Sequence, residues 1–225
     1  MTDSAAPLPG WHAVALAADI EPGTSAGTRL HDQELVVWRD SAGESHVWED
    51  RCPHRGMRLS FGFVRGNHIA CLYHGWAYDT AGQCRAIPAH PDLAVPETIR
   101  VPTYASAEAS GLIFVWSEMG ASGMAPPAAR PLHPLRSLFV EASPERVAAL
   151  LAGRFAPGPD GSFAGRLAGT DVVLFLQPFT SERTGLHVTI DGAGDRSLVS
   201  RGAEALRHAI EAAAPSRFAS LEFAA

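Results

Sequence analysis

Two short segments of the 225-residue chain each combine one cysteine with one histidine. The first reads Cys-Pro-His-Arg-Gly over residues 52–56, and the second reads Cys-Leu-Tyr-His-Gly-Trp over residues 71–76. Thiolate sulfur and neutral imidazole nitrogen are good ligands for iron and for zinc. Because each segment supplies one of each, the pattern predicts a metal centre held between two loops.

Two thiolates and two imidazoles suit a [2Fe–2S] cluster in which the thiolates bind one iron and the imidazoles bind the other. The predicted ligands are Cys52, His54, Cys71 and His74. Gly56 and Gly75, which lie within two residues after the histidines, suit loops whose backbone N–H groups must approach the bridging sulfides. A structural Cys2His2 zinc site is the alternative metal centre. The remaining alternative is that the four residues bind no metal and are unrelated members of the core.

The third cysteine, Cys84, has no histidine at ligand spacing. Three cysteines are also too few, and odd in number, for a disulfide framework. We therefore expect Cys84 to be a half-buried free thiol and not a ligand.

Residues 11 to about 118 resemble the N-terminal Rieske domain of the Rieske non-haem iron oxygenases. The resemblance implies one [2Fe–2S] cluster per chain with Cys52, His54, Cys71 and His74 as its ligands. It also places five neighbours of the ligands at the cofactor site: Arg55, Gly56, Tyr73, Gly75 and Trp76. The matching stretches are the two Cys/His segments, Glu34–Arg39, Ile87–Ala89 and Gly111–Trp116.

Respiratory-chain Rieske proteins resemble this pattern less well. They carry an additional cysteine in each loop, at the positions of Met57 and Tyr73, and tend to have a hydroxyl-bearing residue at the position of Trp76. Fewer hydrogen bonds to the sulfurs lower the reduction potential, so we expect the lower part of the Rieske range.

The elements around these loops predict an α+β chain. Residues 1–118 should form an all-β Rieske domain, a small antiparallel sandwich with cluster-binding loops. Residues 119–140 hold several prolines and glycines and are expected to be a linker. Residues 141–225 should form a small α/β tail that resembles a shortened helix-grip domain. Its predicted elements are helices at Pro144–Leu151 and Leu198–Ala214, the second ended by Pro215, and strands at Thr170–Gln177 and Gly185–Ile190.

Full-length oxygenases of this family add a mononuclear iron held by two histidines and one carboxylate. After residue 119 the chain has only three histidines, His133, His187 and His208, and no two of them are close in sequence. A mononuclear iron is therefore not expected. An atypical site built from these histidines with Asp171 or Asp191 is the alternative.

The composition of the chain gives no indication of a nucleic-acid or membrane partner. The formal net charge is −6 and the pI about 5.9, so nothing indicates binding to nucleic acid. No segment is apolar for long enough to span a membrane, and we expect a cytoplasmic protein.

The leading hypothesis is an electron-transfer subunit that accepts electrons from a reductase or a ferredoxin. It would pass them to a mononuclear iron on an oxygenase partner chain, within a homo- or hetero-oligomer, and would not be catalytic alone. The alternatives are a complete small oxygenase with an atypical iron site and a non-catalytic redox-sensing or structural partner.

Overall fold

The computed structural model describes residues 10–158 and 160–213. The chain forms two compact units that meet between Arg130 and Pro131. None of the helices in these described ranges is long and apolar enough to cross a membrane.

The first unit is all-β and antiparallel. Its strands are β1 (Trp11–Leu16), β2 (Ser25–Leu30), β3 (Gln33–Arg39), β4 (Ser45–Glu49), β5 (Phe63–Arg65), β6 (His68–Ala70), β7 (Ala77–Asp79), β8 (Cys84–Ala86), β9 (Thr103–Ala109) and β10 (Leu112–Met119). Six of them form one sheet in the order β1-β10-β9-β4-β3-β2, and the other four form a small sheet in the order β5-β6-β7-β8.

Aspartate side chains stabilise two hairpin turns of the first unit. Asp40 Oδ1 accepts hydrogen bonds from the N–H groups of Ala42 (2.9 Å) and Glu44 (3.0 Å) between β3 and β4. Asp79 Oδ1 accepts from two N–H groups of the β7–β8 turn, both at 3.0 Å. Such Asx turns replace the missing ladder bonds, and they set the register of strands on either side.

The small sheet carries the two Cys/His segments. One lies in the connection from β4 to β5 and the other connects β6 to β7. Behind them is a buried core that includes Trp38, Trp48, Leu59 and Ile69. The predicted sandwich with cluster-binding loops is confirmed.

The second unit is a five-stranded antiparallel sheet with two helices. Its elements are β11 (Leu132–Val140), α1 (Pro144–Ala152), β12 (Ala156–Pro157), β13 (Ser162–Leu167), β14 (Thr170–Thr180), β15 (Arg183–Asp191) and α2 (Arg196–Ala213). The sheet order is β11-β15-β14-β13-β12. Both helices contribute apolar side chains to one core with the sheet.

Both predicted helices of the second unit are present, and its two predicted strands correspond to β14 and β15, which pair as a hairpin. Ser143 caps α1, where its side chain accepts a hydrogen bond from the Arg146 N–H, and Pro144 occupies the first turn. The predicted end of the second helix at Ala214 and Pro215 lies outside the described residues. The fold class, all-β followed by a smaller unit of helices and strands, is confirmed.

The predicted linker over residues 119–140 is wrong in its second half, because Leu132–Val140 forms β11. Prolines suggested irregular backbone, but β11 lies at the edge of its sheet and its register shifts between Pro134 and Arg136. Proline is tolerated at such a position since no ladder hydrogen bond needs its missing N–H.

Candidate metal centre

The two Cys/His loops have the same backbone hydrogen bonds. In the first loop the Cys52 N–H donates to the Met57 carbonyl and the Gly56 N–H donates to the Cys52 carbonyl, both at 2.8 Å. The second loop repeats these bonds at the equivalent positions, at 2.9 and 3.0 Å. The shared pattern gives the two loops the same turn, although the histidine lies two residues after the cysteine in the first loop and three residues after it in the second.

Gly56 and Gly75 close the two turns with φ angles of +73° and +69°, a region that other residues adopt at a cost. A Cβ on Gly75 would also lie 3.0 Å from Pro88 Cγ. Pro88 belongs to a third loop, which packs against the second cluster loop at this point.

The two thiols lie side by side in the buried core. Cys52 and Cys71 are 2% and 3% exposed. Burial raises the pKa of Cys71, and the neighbouring Cys52 raises it further. The backbone N–H groups of Tyr73 and His74 have the opposite, smaller effect, because they donate hydrogen bonds that favour the thiolate. Two adjacent buried thiolates need a compensating positive charge, which iron would supply.

The two imidazoles lie together on the more accessible side of the loops. The ring centroids of His54 and His74 are 4.8 Å apart. Imidazoles that bind one metal through nitrogens about 2 Å from it have centroids roughly 5 Å apart, so this spacing fits a shared iron. Trp76 stacks on His54 at 4.3 Å with planes 3° apart, and Tyr73 contacts His74 at 3.9 Å.

Burial lowers the pKa of His54, and the nearby His74 and Arg55 lower it further. The imidazole is therefore held neutral, which is the form that binds iron in a mixed Cys/His cluster. The Arg55 and His74 side chains are exposed. The buried thiol pair and the outer imidazole pair match the donor set of a [2Fe–2S] cluster, with one pair for each iron.

Tyr78 is a site residue that the sequence analysis missed. Its hydroxyl lies 3.1 Å from Cys52 Sγ, and burial first and Cys52 second raise its pKa, so it stays protonated and donates to a thiolate. Trp76 offers no hydroxyl to the sulfurs, and Tyr78 supplies one from two residues further on. The sequence did offer one indication of this role, since Tyr78 follows the second loop on a short strand. A buried tyrosine hydroxyl needs a hydrogen-bond partner, and a cysteine sulfur of the nearby loops could be that partner.

Polar side chains outside the segments hold the loops in place. The buried Asp50 accepts from the Ser60 N–H at 2.7 Å and from its hydroxyl at 2.6 Å, which ties together the two ends of the first loop. The buried Gln83 side chain donates to the carbonyls of Pro96 and Ile99, both at 3.2 Å. Sequence patterns indicate neither role, since both depend on contacts between distant residues.

Cys84 is buried more completely than predicted, at 1% exposure, in the same core as Cys52 and Cys71. Burial raises the pKa of its thiol, and its Sγ lies 3.7 Å from the Ala86 carbonyl. A neutral thiol that packs as a small apolar group is consistent with its predicted role as a free cysteine.

The candidates for an atypical iron site are dispersed over the second unit. His187 is buried, with Nδ1 2.8 Å from Ser137 Oγ and Nε2 3.1 Å from Gln177 Oε1. His208 is exposed on α2, and Asp171 pairs with an arginine on the neighbouring strand. His133 and Asp191 are exposed on β11 and β15. Among the described residues, no three His, Cys, Asp or Glu side chains form a group able to hold a single metal ion.

Comparison with known proteins gives a consistent result for the first unit. Residues 10–105 match the family model described as the Rieske [2Fe-2S] domain. Oxidoreductase NdmD of Pseudomonas putida is 40% identical over 111 residues, which are 49% of this chain and 18% of that protein. The 4beta-methylsterol monooxygenase of Methylococcus capsulatus is 39% identical over 110 residues, 47% of this chain and 29% of that protein. The chain spans less than a third of the length of these curated relatives.

Solved structures share the fold over most of the chain. NdmA of Pseudomonas putida CBB5 superposes with a TM-score of 0.68 at 21% identity and covers 92% of this chain and 83% of that chain. Apo dicamba monooxygenase superposes with a TM-score of 0.69 at 18% identity, over 90% of this chain and 85% of that chain. Residues 10–105 are therefore a Rieske [2Fe-2S] domain within a longer chain.

Proposed function

We propose that this chain is the electron-transfer component of a Rieske oxygenase system. It holds one [2Fe–2S] cluster through Cys52, His54, Cys71 and His74, accepts electrons from a reductase or a ferredoxin, and passes them to a mononuclear iron on a partner chain. The observation that carries this proposal is the pair of matching loops, with adjacent buried thiols and adjacent outer imidazoles.

The residues of the chain have separate tasks in this function. The cluster, when bound, stores and releases one electron at a time. Tyr78 and the backbone N–H groups stabilise negative charge on the cysteine sulfurs, and the buried core keeps water from them. The imidazoles lie on the accessible side, where a redox partner can approach. Trp76 stacks on the His54 ring and Tyr73 contacts the tilted His74 ring, so that both imidazoles are held in orientation.

The relatives support an oxygenase system and do not determine the role of this chain within it. One relative from Rhodococcus rhodochrous is named the oxygenase component of a 3-ketosteroid-9-alpha-monooxygenase, and NdmD is named an oxidoreductase. Their names describe whole proteins, of which the matched regions are 28% and 18%. We propose a separate mononuclear-iron chain because the histidines of the second unit are dispersed among its described elements.

The test begins with metal analysis and paramagnetic resonance of the purified chain. We expect about two irons and two sulfides per chain, and after reduction the low average g-value typical of a cluster with two histidine ligands. One zinc per chain in a colourless protein would contradict the proposal. A third iron with product formation by the chain alone, abolished by changing His187 or His208, would favour the complete small oxygenase.

A further inference from the structure

The charge near the cluster loops is opposite to that of the whole chain. Residues 51–78 contain four arginines and no aspartate or glutamate, although the chain has a formal net charge of −6. All four arginines are exposed: Arg51, Arg55, Arg58 and Arg65. The cluster-bearing segment is therefore a basic region of an acidic protein.

Two of these arginines have charges available to a partner. Arg58 pairs with Glu34, whereas Arg51 and Arg55 contact no carboxylate in the described part of the chain. Arg51 lies beside the first loop, where its Nε is 3.5 Å from the position of a Cβ on Gly56. Arg55 directly follows the predicted ligand His54. Both guanidinium groups therefore belong to the rim of the candidate metal centre.

Exposed apolar side chains lie on the second loop, beside the outer imidazoles. Leu72 and Tyr73 are 50% and 54% exposed, and the Tyr73 ring contacts His74. Phe63, which is 53% exposed, pairs in register with Ala70 at the start of the same loop. Protein interfaces commonly combine an apolar, aromatic centre with arginines. A group of large exposed apolar side chains also indicates a contact site.

We propose that the face defined by Arg51, Arg55, Leu72 and Tyr73 docks a small acidic electron-carrier protein. Carboxylates of the carrier would pair with the two arginines, and its apolar surface would cover Leu72 and Tyr73. This orientation brings the redox centre of the carrier to the edge formed by the two imidazoles. The inference rests on the proposed function, because it identifies the chemistry of the electron donor.

Electrostatics explains how such a face selects both the partner and its orientation. An acidic carrier is repelled by the net charge of the chain and attracted by the unpaired arginines, so encounters at the cluster face are favoured. Steering of this kind raises association rates by roughly 10- to 1,000-fold at low salt. It weakens as the Debye length falls from about 10 Å at 0.1 M to about 3 Å at 1 M.

The experiment measures how salt affects reduction of the cluster-loaded chain by a reduced acidic [2Fe–2S] ferredoxin in stopped flow. One electron leaves the ferredoxin and converts one ferric iron of the chain's cluster to ferrous iron, and no covalent bond changes. We expect the second-order rate constant to fall about tenfold or more between low and high salt. With a basic c-type cytochrome as acceptor of electrons from the reduced chain, the rate constant should instead rise with salt.

Matched variants separate this face from the net charge of the chain. Arg55→Glu should lower the low-salt rate constant about tenfold and flatten its salt dependence. Arg201→Glu, on the exposed side of α2 in the second unit, changes the net charge equally and should leave the rate constant within about twofold. Leu72→Ser should weaken docking at every salt concentration and leave the salt dependence unchanged.

Reduction by dithionite distinguishes failure of this inference from failure of the proposed function. If dithionite reduces the cluster in all variants but Arg55→Glu and Arg201→Glu behave alike, the docking face is wrong and electron transfer stands. A rate constant that rises with salt for the acidic carrier would also overturn the docking proposal. A chain in which dithionite reduces no cluster would overturn the proposed function itself.

Discussion

At the scale of single residues, the candidate centre depends on how each donor atom is solvated. The two thiols are buried and side by side, and burial raises the pKa of Cys71. The imidazoles lie nearer to water, and desolvation of the His54 ring together with the nearby His74 and Arg55 lowers the pKa of His54. Tyr78 is the hydroxyl that connects a cysteine sulfur with the surrounding core.

Tyr78→Phe should lower the reduction potential of the cluster. The hydroxyl donates to Cys52 Sγ, and this bond strengthens when the cluster gains negative charge, so its loss disfavours the reduced state. A difference of about 1 kcal/mol between the two redox states corresponds to roughly 40 mV for one electron. Redox titration checks this, with iron and sulfide content as the control. An unchanged potential in a fully loaded variant would show that the hydroxyl does not act on the sulfur.

His12 should make the first unit sensitive to acid. Burial, and then the nearby His31, lower the pKa of His12 to about 4, and its Nε2 is buried without a hydrogen-bond partner. Because the folded pKa is below the unfolded value of about 6.5, the unfolded chain takes up this proton first as the pH falls. The contribution of neutral His12 to the free energy of unfolding is therefore fully present above about pH 6.5. It decreases as the pH falls from about 6.5 to about 4, and it changes little below that.

His12→Phe keeps a ring against His31 and should remove about 3 kcal/mol of the stability lost between pH 7 and pH 4. Denaturant unfolding at a series of pH values measures this difference. His208→Asn changes an exposed histidine and should follow the wild-type curve. Parallel curves for the wild type and His12→Phe would show that His12 titrates normally.

At the scale of elements, the cluster loops are held by contacts at their ends. Asp50 follows β4 and binds Ser60 ten residues later, so the first loop is closed by two hydrogen bonds to one carboxylate. The second loop starts and ends on the hydrogen-bonded neighbours β6 and β7. The four predicted ligands are thus positioned by strands and hydrogen bonds of the chain itself.

Asp50→Ala should loosen the first loop and reduce retention of the cluster. The carboxylate is buried and accepts two charge-assisted hydrogen bonds, each worth about 1.5 to 3 kcal/mol. Loss of both should therefore lower the free energy of unfolding by roughly 3 kcal/mol. Ser60→Ala is the graded control, because it removes the hydroxyl and keeps the N–H bond. Thermal unfolding and iron content after dialysis measure both effects, and equal loss in the two variants would argue against closure by Asp50.

At the scale of the whole molecule, the two units have separate cores and separate sheets. The first unit contains both Cys/His loops and two buried apolar clusters, and the second has its own core between sheet and helices. Because the match to the Rieske domain family ends at residue 105, the first unit contains the whole matched region. Assembly of the cluster should therefore not require the second unit.

A fragment of residues 1–130 should fold and retain the cluster. Its cores are complete without residues beyond Arg130, and a domain with its own core can fold alone. Paramagnetic resonance of the reduced fragment should match that of the full chain, and its unfolding should remain cooperative. An insoluble or colourless fragment, compared with a coloured full-length protein prepared in parallel, would show that the second unit is needed.

The sequence by itself determined the candidate ligands, because two thiolates and two imidazoles at short, glycine-bounded spacings have few other uses. Alternating strands, Asx turns and the Ser143 cap are local features, so the fold class and both helices could also be predicted. Tertiary structure alone decided the rest. Tyr78 at Cys52, Asp50 at Ser60 and the burial of Cys84 depend on packing between residues far apart in the chain. β11 was mistaken for linker because only its edge position in the sheet makes Pro134 acceptable.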